Sequence, residues 1–521
     1  MPLQSSAFEM GSSAGDSVLA DFDFIAYHAR TNGRRIACID LAANRSVTFG
    51  EFDSRIAICT GWLRGLLEPG ARVAMLARNG LDSLVLHFAC IRAGLVYQPL
   101  NWRLSGRELG ILVGDAMPEL LIYQTEFEDA AGDAMQACAV RHVVRIAPDD
   151  DRLAAALDTA EPDAGADFGP DVPVTLLYTS GTTGKPKGVI VTRRNAWATA
   201  FNFSFANEVA PRDVLLCDMP LFHVAGLFGV ARGALYAGAA VLISDRFVPS
   251  DALARMSDPR LAITHYFAVP QMAMTMLQDP SFATSDLSRL KALVIGGAPL
   301  PKSVVDRLLA GGVMPIEGYG LSEGGTVFAT PLDRDTVARK AGTSGVKAPM
   351  IEVRLVTSDG HEAAEGEVGE IWLKGPSMTP GYWNQKEATA KAFADGWFKT
   401  GDAARRDGDG FYQIVDRWKD MYITGGENVY PAEVESVLAE HPAIAEAAVI
   451  GVPDAKWGES GCAYVVLREH LIAADVIAHV RGRLARYKVP KHVAFVDTLP
   501  RTGSGKVKKD DLRRIFREGA S

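Results

Sequence analysis

Cysteine is scarce in this sequence, and uncharged apolar runs are short. The 521 residues include six cysteines, none of them at C-x-x-C spacing. That pattern argues against a zinc ribbon and a disulfide framework, so we expect free thiols in a reducing compartment. No uncharged apolar run reaches the roughly 18 residues of a membrane-spanning helix; the richest stretch, 230–243, contains Arg232. The first twenty residues carry Glu9 and Asp16 instead of the basic start and apolar core of a signal peptide. We therefore predict a cytoplasmic protein with no membrane span.

An excess of positive charge is also missing. Lys and Arg together number 54 against 63 Asp and Glu, a net charge of −9. A general nucleic-acid binder needs a basic face for phosphate contacts, so that class is disfavoured, whereas a small anion in a local basic site is not. The hydrophobic fraction of 48% and the charged fraction of 22% are typical of a globular protein. Glycine, with fifty residues, is in clear excess.

Short apolar strands alternate with helical patterns in the N-terminal part of the chain. Residues 51–67 and 81–93 have helical spacing, and 47–49 has the pattern of a strand end. This alternation is typical of an α/β protein whose parallel sheets are covered on both faces. The Asp-, Ala- and Pro-rich stretch 148–173 is interpreted as a linker between two such units. Further strands are predicted at 73–76, 96–100, 215–219, 240–243 and 292–295.

The pattern changes twice more along the chain. A β-rich block contains predicted strands at 352–356, 369–373 and 411–415. After Arg417 about 100 residues predict a separate α+β domain, with a helix that begins at Pro431 and ends before Pro442. We therefore predict a large domain over 1–416, with subdomains of roughly 1–165, 166–340 and 341–416, and a small domain over 417–521.

One loop concentrates residues suited to phosphate binding. Residues 178–188 read Tyr-Thr-Ser-Gly-Thr-Thr-Gly-Lys-Pro-Lys-Gly and follow an apolar strand. Glycines expose backbone N–H groups and lysines add charge, which favours a polyphosphate ligand. The spacing is not that of a Walker A loop.

This loop resembles the phosphate loop of the adenylate-forming superfamily, which includes acyl-CoA synthetases, luciferases and peptide-synthetase adenylation domains. Four more motifs similar to those of the superfamily follow in order: Gly-Tyr-Gly-Leu-Ser-Glu at 318–323, Thr-Gly-Asp at 400–402, Asp-Arg-Trp-Lys at 416–419, and Pro-Arg-Thr-Gly-Ser-Gly-Lys at 500–506. The resemblance implies a large AMP-binding domain and a small mobile C-terminal domain, and it is greatest to acyl- and aryl-CoA ligases.

The resemblance implies roles in the first half-reaction, in which a carboxylate and ATP form an acyl-adenylate. Glu323 would hold Mg²⁺, Ser322 would approach the phosphates, and Lys506 would reach between the carboxylate and the α-phosphate. Tyr319 would stack on adenine, Asp402 and Arg417 would bind the ribose hydroxyls, and Lys419 would be the hinge. The full implied ATP and AMP set is Thr179, Ser180, Gly181, Thr182, Thr183, Gly184, Lys187, Gly297, Ala298, Pro299, Tyr319, Gly320, Asp402 and Arg417.

The resemblance also implies a second half-reaction, in which a thiol takes the acyl group. Gly425 and Gly426 would line a pantetheine passage, and Trp457, Tyr487, Lys491 and Arg92 are candidate CoA contacts. The acyl pocket would be lined by apolar or small residues, with Gly324 and Gly325 leaving room for the acid. Its predicted lining is His223, Val224, Val269, Met272, Gly297, Gly320, Gly324 and Gly325.

We therefore predict an ATP-dependent acyl-CoA ligase for an aromatic or medium-chain fatty acid. Its ligands would be ATP, Mg²⁺ and CoA, with no tightly bound prosthetic group. Two alternatives stay open: an acyl-AMP ligase that loads a separate carrier protein, and a catalytically silent nucleotide-binding protein of the same fold. A homodimer also stays open, and no nucleic-acid partner is expected.

Overall fold

The computed structural model describes residues 22–147, 151–179, 186–298, 300–418, 420–424, 427–454, 456–481, 483–501 and 507–519. Its strands are β1 (Ile36–Asp40), β2 (Arg45–Thr48), β3 (Arg72–Leu76), β4 (Val96–Pro99), β5 (Leu120–Gln124), β6 (His142–Ile146), β7 (Pro173–Thr179), β8 (Lys187–Thr192), β9 (Val214–Cys217), β10 (Ala240–Ile243), β11 (His265–Ala268), β12 (Ala292–Gly296), β13 (Pro315–Leu321), β14 (Gly325–Ala329), β15 (Val346–Lys347), β16 (Glu352–Val356), β17 (Val368–Lys374), β18 (Phe393–Ala394), β19 (Trp397–Arg406), β20 (Tyr412–Arg417), β21 (Tyr422–Thr424), β22 (Glu427–Val429), β23 (Ile444–Asp454), β24 (Gly458–Leu467) and β25 (His492–Phe495).

The α-helices are α1 (Phe24–Asn32), α2 (Phe49–Leu66), α3 (Leu81–Ala93), α4 (Gly106–Ala116), α5 (Glu128–Met135), α6 (Arg152–Asp158), α7 (Arg193–Ala206), α8 (Arg232–Ala237), α9 (Pro249–Ser257), α10 (Pro270–Gln278), α11 (Lys302–Ala310), α12 (Arg334–Arg339), α13 (Lys386–Ala392), α14 (Pro431–Ala439), α15 (Ala473–Arg481) and α16 (Lys509–Gly519). A π-helix over Ala225–Ala231 leads directly into α8. In the described part of the chain, no helix is long and apolar enough to cross a membrane.

Two large sheets form the N-terminal body, and both are parallel in their interior. One has six strands in the order β6-β5-β3-β4-β7-β8, and the other has nine in the order β15-β14-β13-β12-β11-β9-β10-β1-β2. Central strands such as β12 are buried along their whole length, as expected for a sheet covered by helices on both faces. The predicted α/β fold class is confirmed.

The strands of the two sheets are interleaved along the chain. The N-terminal strand β1 pairs in parallel with β10, so residues 36–48 belong to the nine-stranded sheet. Conversely, β7 pairs with β4 and with β8, which places β7 and β8 in the six-stranded sheet. The sheets therefore do not follow the contiguous ranges 1–165 and 166–340, because strand partners are chosen by tertiary packing. The division of the chain at residues 416 and 417 stays a prediction.

Two local expectations are wrong. Phe49 is not a strand end: it begins α2, because Thr48 and Glu51 form a capping box that starts the helix there. The stretch 148–173 is not a simple linker in its described part. It contains α6, and the carbonyl of Glu161 lies only 1.9 Å from the position of a Cβ on Gly61, so only glycine allows this close approach.

The C-terminal part has two further sheets. β16-β17-β19-β18, with β20 beside β19, form an antiparallel sheet. β22-β21-β24-β23 form a second sheet, which is mixed because β25 pairs in parallel with β24. The predicted helix start at Pro431 is confirmed: α14 has Pro431 in its first turn, and the Ala432 N–H donates to Oδ2 of Asp416 at 2.6 Å. This hydrogen bond connects the end of β20 to the small domain.

Candidate active site

Glu323 lies in the turn between β13 and β14, where two contacts orient it. Its Oε1 accepts a hydrogen bond from the Tyr382 hydroxyl at 2.9 Å, and its backbone carbonyl accepts one from the Thr379 N–H at 2.7 Å. Burial raises the pKa of Glu323, and this effect outweighs the Tyr382 hydrogen bond and the charges of Lys187 and Arg417, which lower it. A buried carboxylate near cationic groups is the kind of perturbed residue found at functional sites.

A cavity reaches this carboxylate. The space between its walls, part of which is open to solvent, is about 220 Å³, and the walls are both polar and apolar. Its lining consists of Ile190, Val191, Asn195, Thr199, Val224, Phe228, Ser322, Glu323, Ser377 and Thr379. Glu323 and Ser322 are among these lining residues, and side-chain oxygens such as theirs suit a hard cation such as Mg²⁺, which shares its coordination with phosphate oxygens and water. These residues therefore fit the metal that the resemblance implies.

The described ends of the phosphate loop lie close to Glu323. Thr179 ends β7, Lys187 begins β8, and the two residues are paired across this hairpin. The Nζ atom of Lys187 lies 4.6 Å from the ring centroid of Tyr382, the residue that bonds Glu323. Among the implied loop contacts, Ser180, Gly181, Thr182, Thr183 and Gly184 lie outside the described residues.

Asp402 and Arg417, the expected ribose ligands, form a cross-strand pair. They face each other on β19 and β20, and Nε of Arg417 lies 2.7 Å from Oδ1 of Asp402. The hydroxyl of Tyr319 donates to the other oxygen, Oδ2, at 2.5 Å. Burial and the Asp402 charge raise the pKa of Tyr319. Three motifs separated in sequence thus meet in one hydrogen-bonded group.

The predicted adenine turn lies at the carboxyl ends of two parallel strands. Gly296 of β12 pairs with Gly318 of β13, which brings Gly297 and Ala298 beside Tyr319 and Gly320. Ligands of open α/β sheets commonly bind at this edge. Gly297 is exposed and has a φ of +90°, a conformation that favours glycine. Pro299 lies outside the described residues.

The predicted acyl pocket is only partly assembled around the cavity. Val224 is a wall of that cavity, and Val269 lies 3.7 Å from the position of a Cβ on Gly297. The space at the Cβ positions of Gly324 and Gly325 is filled by Met378 and Thr199 respectively, and the role of these glycines in the acyl pocket stays a prediction. His223 ends the turn before the π-helix, with its ring 4.5 Å from that of Phe222, and Met272 packs against the core near Val269.

Several cavity residues were missed in the sequence. Phe228 lies on the π-helix, a type of element often found at functional sites. Asn195 and Thr199 come from α7, where Asn195 donates to the carbonyls of Pro376 and Met378 at 2.9 and 2.6 Å. The Thr192–Asn195 capping box could have identified the start of α7, but no local pattern indicates that this helix faces the cavity. Tyr382 had no recognisable signal either.

Arg92, a predicted CoA contact, is paired with two carboxylates in the structure. Its guanidinium is buried, with Nε at 2.8 Å from Asp23 and a terminal nitrogen at 2.5 Å from Asp53. Burial lowers the pKa of Arg92, but the two carboxylates raise it by more, so the net shift is upward. Arg92 joins α3 to α2 and to the start of α1, which is a structural role.

Two of the other CoA candidates are brought together on the small domain. Oδ2 of Asp454 lies 2.5 Å from Nζ of Lys491, and its Oδ1 accepts the Trp457 N–H at 3.1 Å. The Trp457 side chain is 47% exposed, and Tyr487 is 37% exposed in a short 3₁₀ turn. The Lys491 hydrogen bond lowers the pKa of Asp454. Gly425, Gly426, Lys419 and Lys506 lie outside the described residues.

Comparison with known proteins agrees with this geometry. The family profile described as AMP-binding enzyme matches residues 25–383, and that of the AMP-binding enzyme C-terminal domain matches 433–506. The chain is 39% identical over 480 residues to a feruloyl-CoA synthase of an Amycolatopsis species, covering 90% of this chain and 94% of that protein. It is 38% identical over 452 residues to an indoleacetate–CoA ligase of Aromatoleum aromaticum, covering 85% and 88%.

A solved structure is similar over almost the whole chain. The o-succinylbenzoate-CoA synthetase MenE of Bacillus subtilis, in complex with ATP and magnesium ion, superposes with a TM-score of 0.83 at 30% identity, covering 94% of this chain and 98% of that one. The resemblance drawn from the five motifs is thereby confirmed. The chain belongs to the AMP-binding, adenylate-forming enzyme family and is an AMP-forming acid–thiol ligase.

Proposed function

We propose that this ligase activates an apolar carboxylic acid, aromatic or medium-chain aliphatic, and transfers the acyl group to CoA. The observation that supports this most is the single cavity that joins the Ser322–Glu323 turn to the apolar walls Val224 and Phe228. An acid whose hydrocarbon part lies against those walls would have its carboxylate near the phosphate-binding residues. The names of the two relatives point to acids with an aromatic ring.

In the first half-reaction, a carboxylate oxygen attacks the α-phosphorus of ATP. A carbon–oxygen–phosphorus bridge forms, and the bond to the β-phosphate oxygen breaks as pyrophosphate leaves with the electron pair. Lys187 and Lys506 offset the negative charge, and Tyr319, Asp402 and Arg417 hold the nucleoside, so catalysis rests on positioning and electrostatics. Mg²⁺, when bound at Glu323, neutralises charge on the phosphate oxygens.

In the second half-reaction, the thiol sulfur attacks the acyl carbonyl carbon. A thioester forms, the thiol proton is lost, and AMP leaves with the electrons of the broken acyl–oxygen bond. Trp457 offers an exposed aromatic face to the CoA nucleotide, and Lys491 and Lys456 supply positive charge beside it. Lys506 serves the first half-reaction only.

A panel of carboxylic acids tests the proposal. Each acid is scored for acid-dependent exchange between ATP and pyrophosphate, and for CoA-dependent release of AMP. We expect both signals with aromatic or medium-chain acids and neither with small dicarboxylates. Exchange without CoA-dependent AMP release would favour a carrier protein as acceptor, and the absence of exchange with every acid would favour the silent alternative.

The Lys506→Ala variant tests the assignment of the two half-reactions. We expect it to lose ATP–pyrophosphate exchange while still converting supplied acyl-adenylate and CoA to thioester. Normal exchange in this variant would contradict the role of Lys506. Lys508→Ala is the matched control, because it removes a neighbouring lysine of the same basic segment.

A further inference from the structure

Tyr382 contacts two groups of opposite charge at the active site. Its hydroxyl donates to Oε1 of Glu323 at 2.9 Å, while its ring faces the ammonium group of Lys187 at 4.6 Å from the centroid. Tyr382 is only 8% exposed, whereas Glu323 and Lys187 are half-buried. One residue therefore connects the carboxylate of the β13–β14 turn to the base of the phosphate loop.

The backbone around Tyr382 holds it in this position. The Trp383 N–H donates to the Gly188 carbonyl at 2.7 Å, and the Ile190 N–H donates to the Gly381 carbonyl at 3.1 Å, which fixes the segment along β8. The Gln385 amide donates to the carbonyl of Pro186, near the C-terminal end of the phosphate loop, at 2.9 Å. The same segment supplies the Thr379 N–H that binds the Glu323 carbonyl.

We propose that Tyr382 is a positioning residue that orients the Glu323 carboxylate toward Mg²⁺ and keeps Lys187 of the phosphate loop in register with it. The proposal rests on the metal role of Glu323 in the proposed function. By donating to Oε1, the phenol fixes the rotation of the carboxylate and leaves Oε2 for the metal. By presenting its ring to Lys187, it holds the ammonium group through a cation–π contact that leaves its positive charge in place.

Two substitutions separate the two contacts. Tyr382→Phe removes the hydroxyl but keeps the ring, so it should disturb Glu323 and leave Lys187 in place. Tyr382→Leu removes both contacts. The matched control is Tyr123→Phe, because Tyr123 is also buried and donates to a glutamate, Oε1 of Glu128 at 3.4 Å, outside the cavity.

The main measurement is calorimetric titration of ATP at several Mg²⁺ concentrations without any carboxylic acid, so that no turnover occurs. Tyr382→Phe should need about ten times more Mg²⁺ than wild type to reach half of the full ATP affinity. A change of this size is expected when a hydrogen bond to a charged group is lost. ATP affinity without Mg²⁺ should fall in Tyr382→Leu and not in Tyr382→Phe. In Tyr382→Phe, thioester formation from supplied acyl-adenylate should stay within about twofold of wild type. This activity also shows that the variant is folded.

An unchanged Mg²⁺ dependence in Tyr382→Phe, or an equal change in Tyr123→Phe, would overturn the proposal. Glu323→Gln distinguishes this failure from that of the metal assignment. If Glu323→Gln weakens Mg²⁺-dependent ATP binding and Tyr382→Phe does not, only the positioning role is wrong. If neither variant alters it, the metal role of Glu323 is wrong as well, and the positioning proposal fails with it.

Discussion

The hydroxyl of Tyr319 and the carboxylate of Asp402 are joined by a hydrogen bond of 2.5 Å, although 83 positions separate the two residues in the chain. The other carboxylate oxygen of Asp402 lies 2.7 Å from Nε of Arg417. Asp402 is therefore the residue through which the predicted adenine and ribose contacts are held together.

Replacement of Asp402 by Asn should weaken ATP binding. Asparagine retains an oxygen for one partner but loses the charge that pairs with Arg417, so we expect a loss of about 1.5–3 kcal/mol, or roughly 10- to 100-fold in Kd. Calorimetric titration with ATP measures the change. Asp213→Asn is the control, because Asp213 is also buried and paired with a cation, Lys291, but lies at the far end of β9. Unchanged ATP affinity in Asp402→Asn would contradict the assignment.

Replacement of Gly325 by Ala should destabilise the protein and reduce adenylation. A Cβ there would lie 2.1 Å from Cγ2 of Thr199, and the φ of Gly325 is +67°. We expect a loss of about 1–3 kcal/mol from overpacking in addition to backbone strain. The free energy of unfolding in urea measures the sum.

Two further variants separate these costs. Gly366→Ala carries a similar φ of +77° with open space around its Cβ, so it reports the backbone cost alone. Thr199→Ser removes the clashing methyl group, and the double variant Gly325→Ala/Thr199→Ser should recover the steric part. Additive effects in this cycle would mean that Thr199 does not restrict Gly325.

Substitutions of Arg92 and Lys491 should differ in their effect on CoA binding. Arg92→Ala leaves Asp23 and Asp53 without their cation. Both carboxylates are about one third exposed, so the loss should be smaller than for a fully buried ion pair. We expect the free energy of unfolding to fall by about 2 kcal/mol. The KM of this variant for CoA should stay unchanged. Lys491→Ala should raise the KM for CoA several-fold, and it should also cost some stability, because it leaves the almost fully buried side chain of Asp454 without its cation. The reverse pattern in KM would support Arg92 as a CoA contact.

Glu317 should make stability depend on pH. It is buried on β13, and burial raises its pKa from 4.5 to about 7, although its side chain accepts the Gly342 N–H at 3.0 Å. Between these two pKa values the unfolded chain releases the proton that the folded chain retains. The free energy of unfolding should therefore fall as pH rises from about 4.5 to 7, by up to about 3 kcal/mol, and stay constant above that range.

Glu317→Gln should remove this dependence. Glutamine keeps an oxygen for the Gly342 N–H and has no charge to bury, so the variant should be more stable than wild type at pH 8 and similar at pH 4.5. Urea unfolding at a series of pH values is the measurement. Equal pH profiles for the two proteins would show that Glu317 is ionised in the folded state without penalty.

Local features of this fold could be predicted because they depend on neighbouring residues. The helix over 81–93 agrees with the structure at both ends, and α14 begins at Pro431 as its first-turn proline predicts. The capping box of Thr48 and Glu51 is equally local, yet the sequence predicts a strand end at Phe49, since valine, threonine and phenylalanine at 47–49 all favour strands. Strand partners are not local: β1 pairs with β10, which comes much later in the chain, and β7 pairs with the earlier strand β4.

By itself, the sequence determined the family, because five motifs in a set order need no knowledge of their contacts. It also determined the types of residue available for phosphate, nucleoside and thiol chemistry. Only the tertiary structure decided what each side chain contacts. The partners of Arg92 lie 39 and 69 positions away, and Glu323 meets Tyr382 from 59 positions away. Such contacts form when separate elements pack, so Arg92 proved to be paired with two carboxylates, the space beside Gly324 and Gly325 proved filled, and Tyr382 entered the active site.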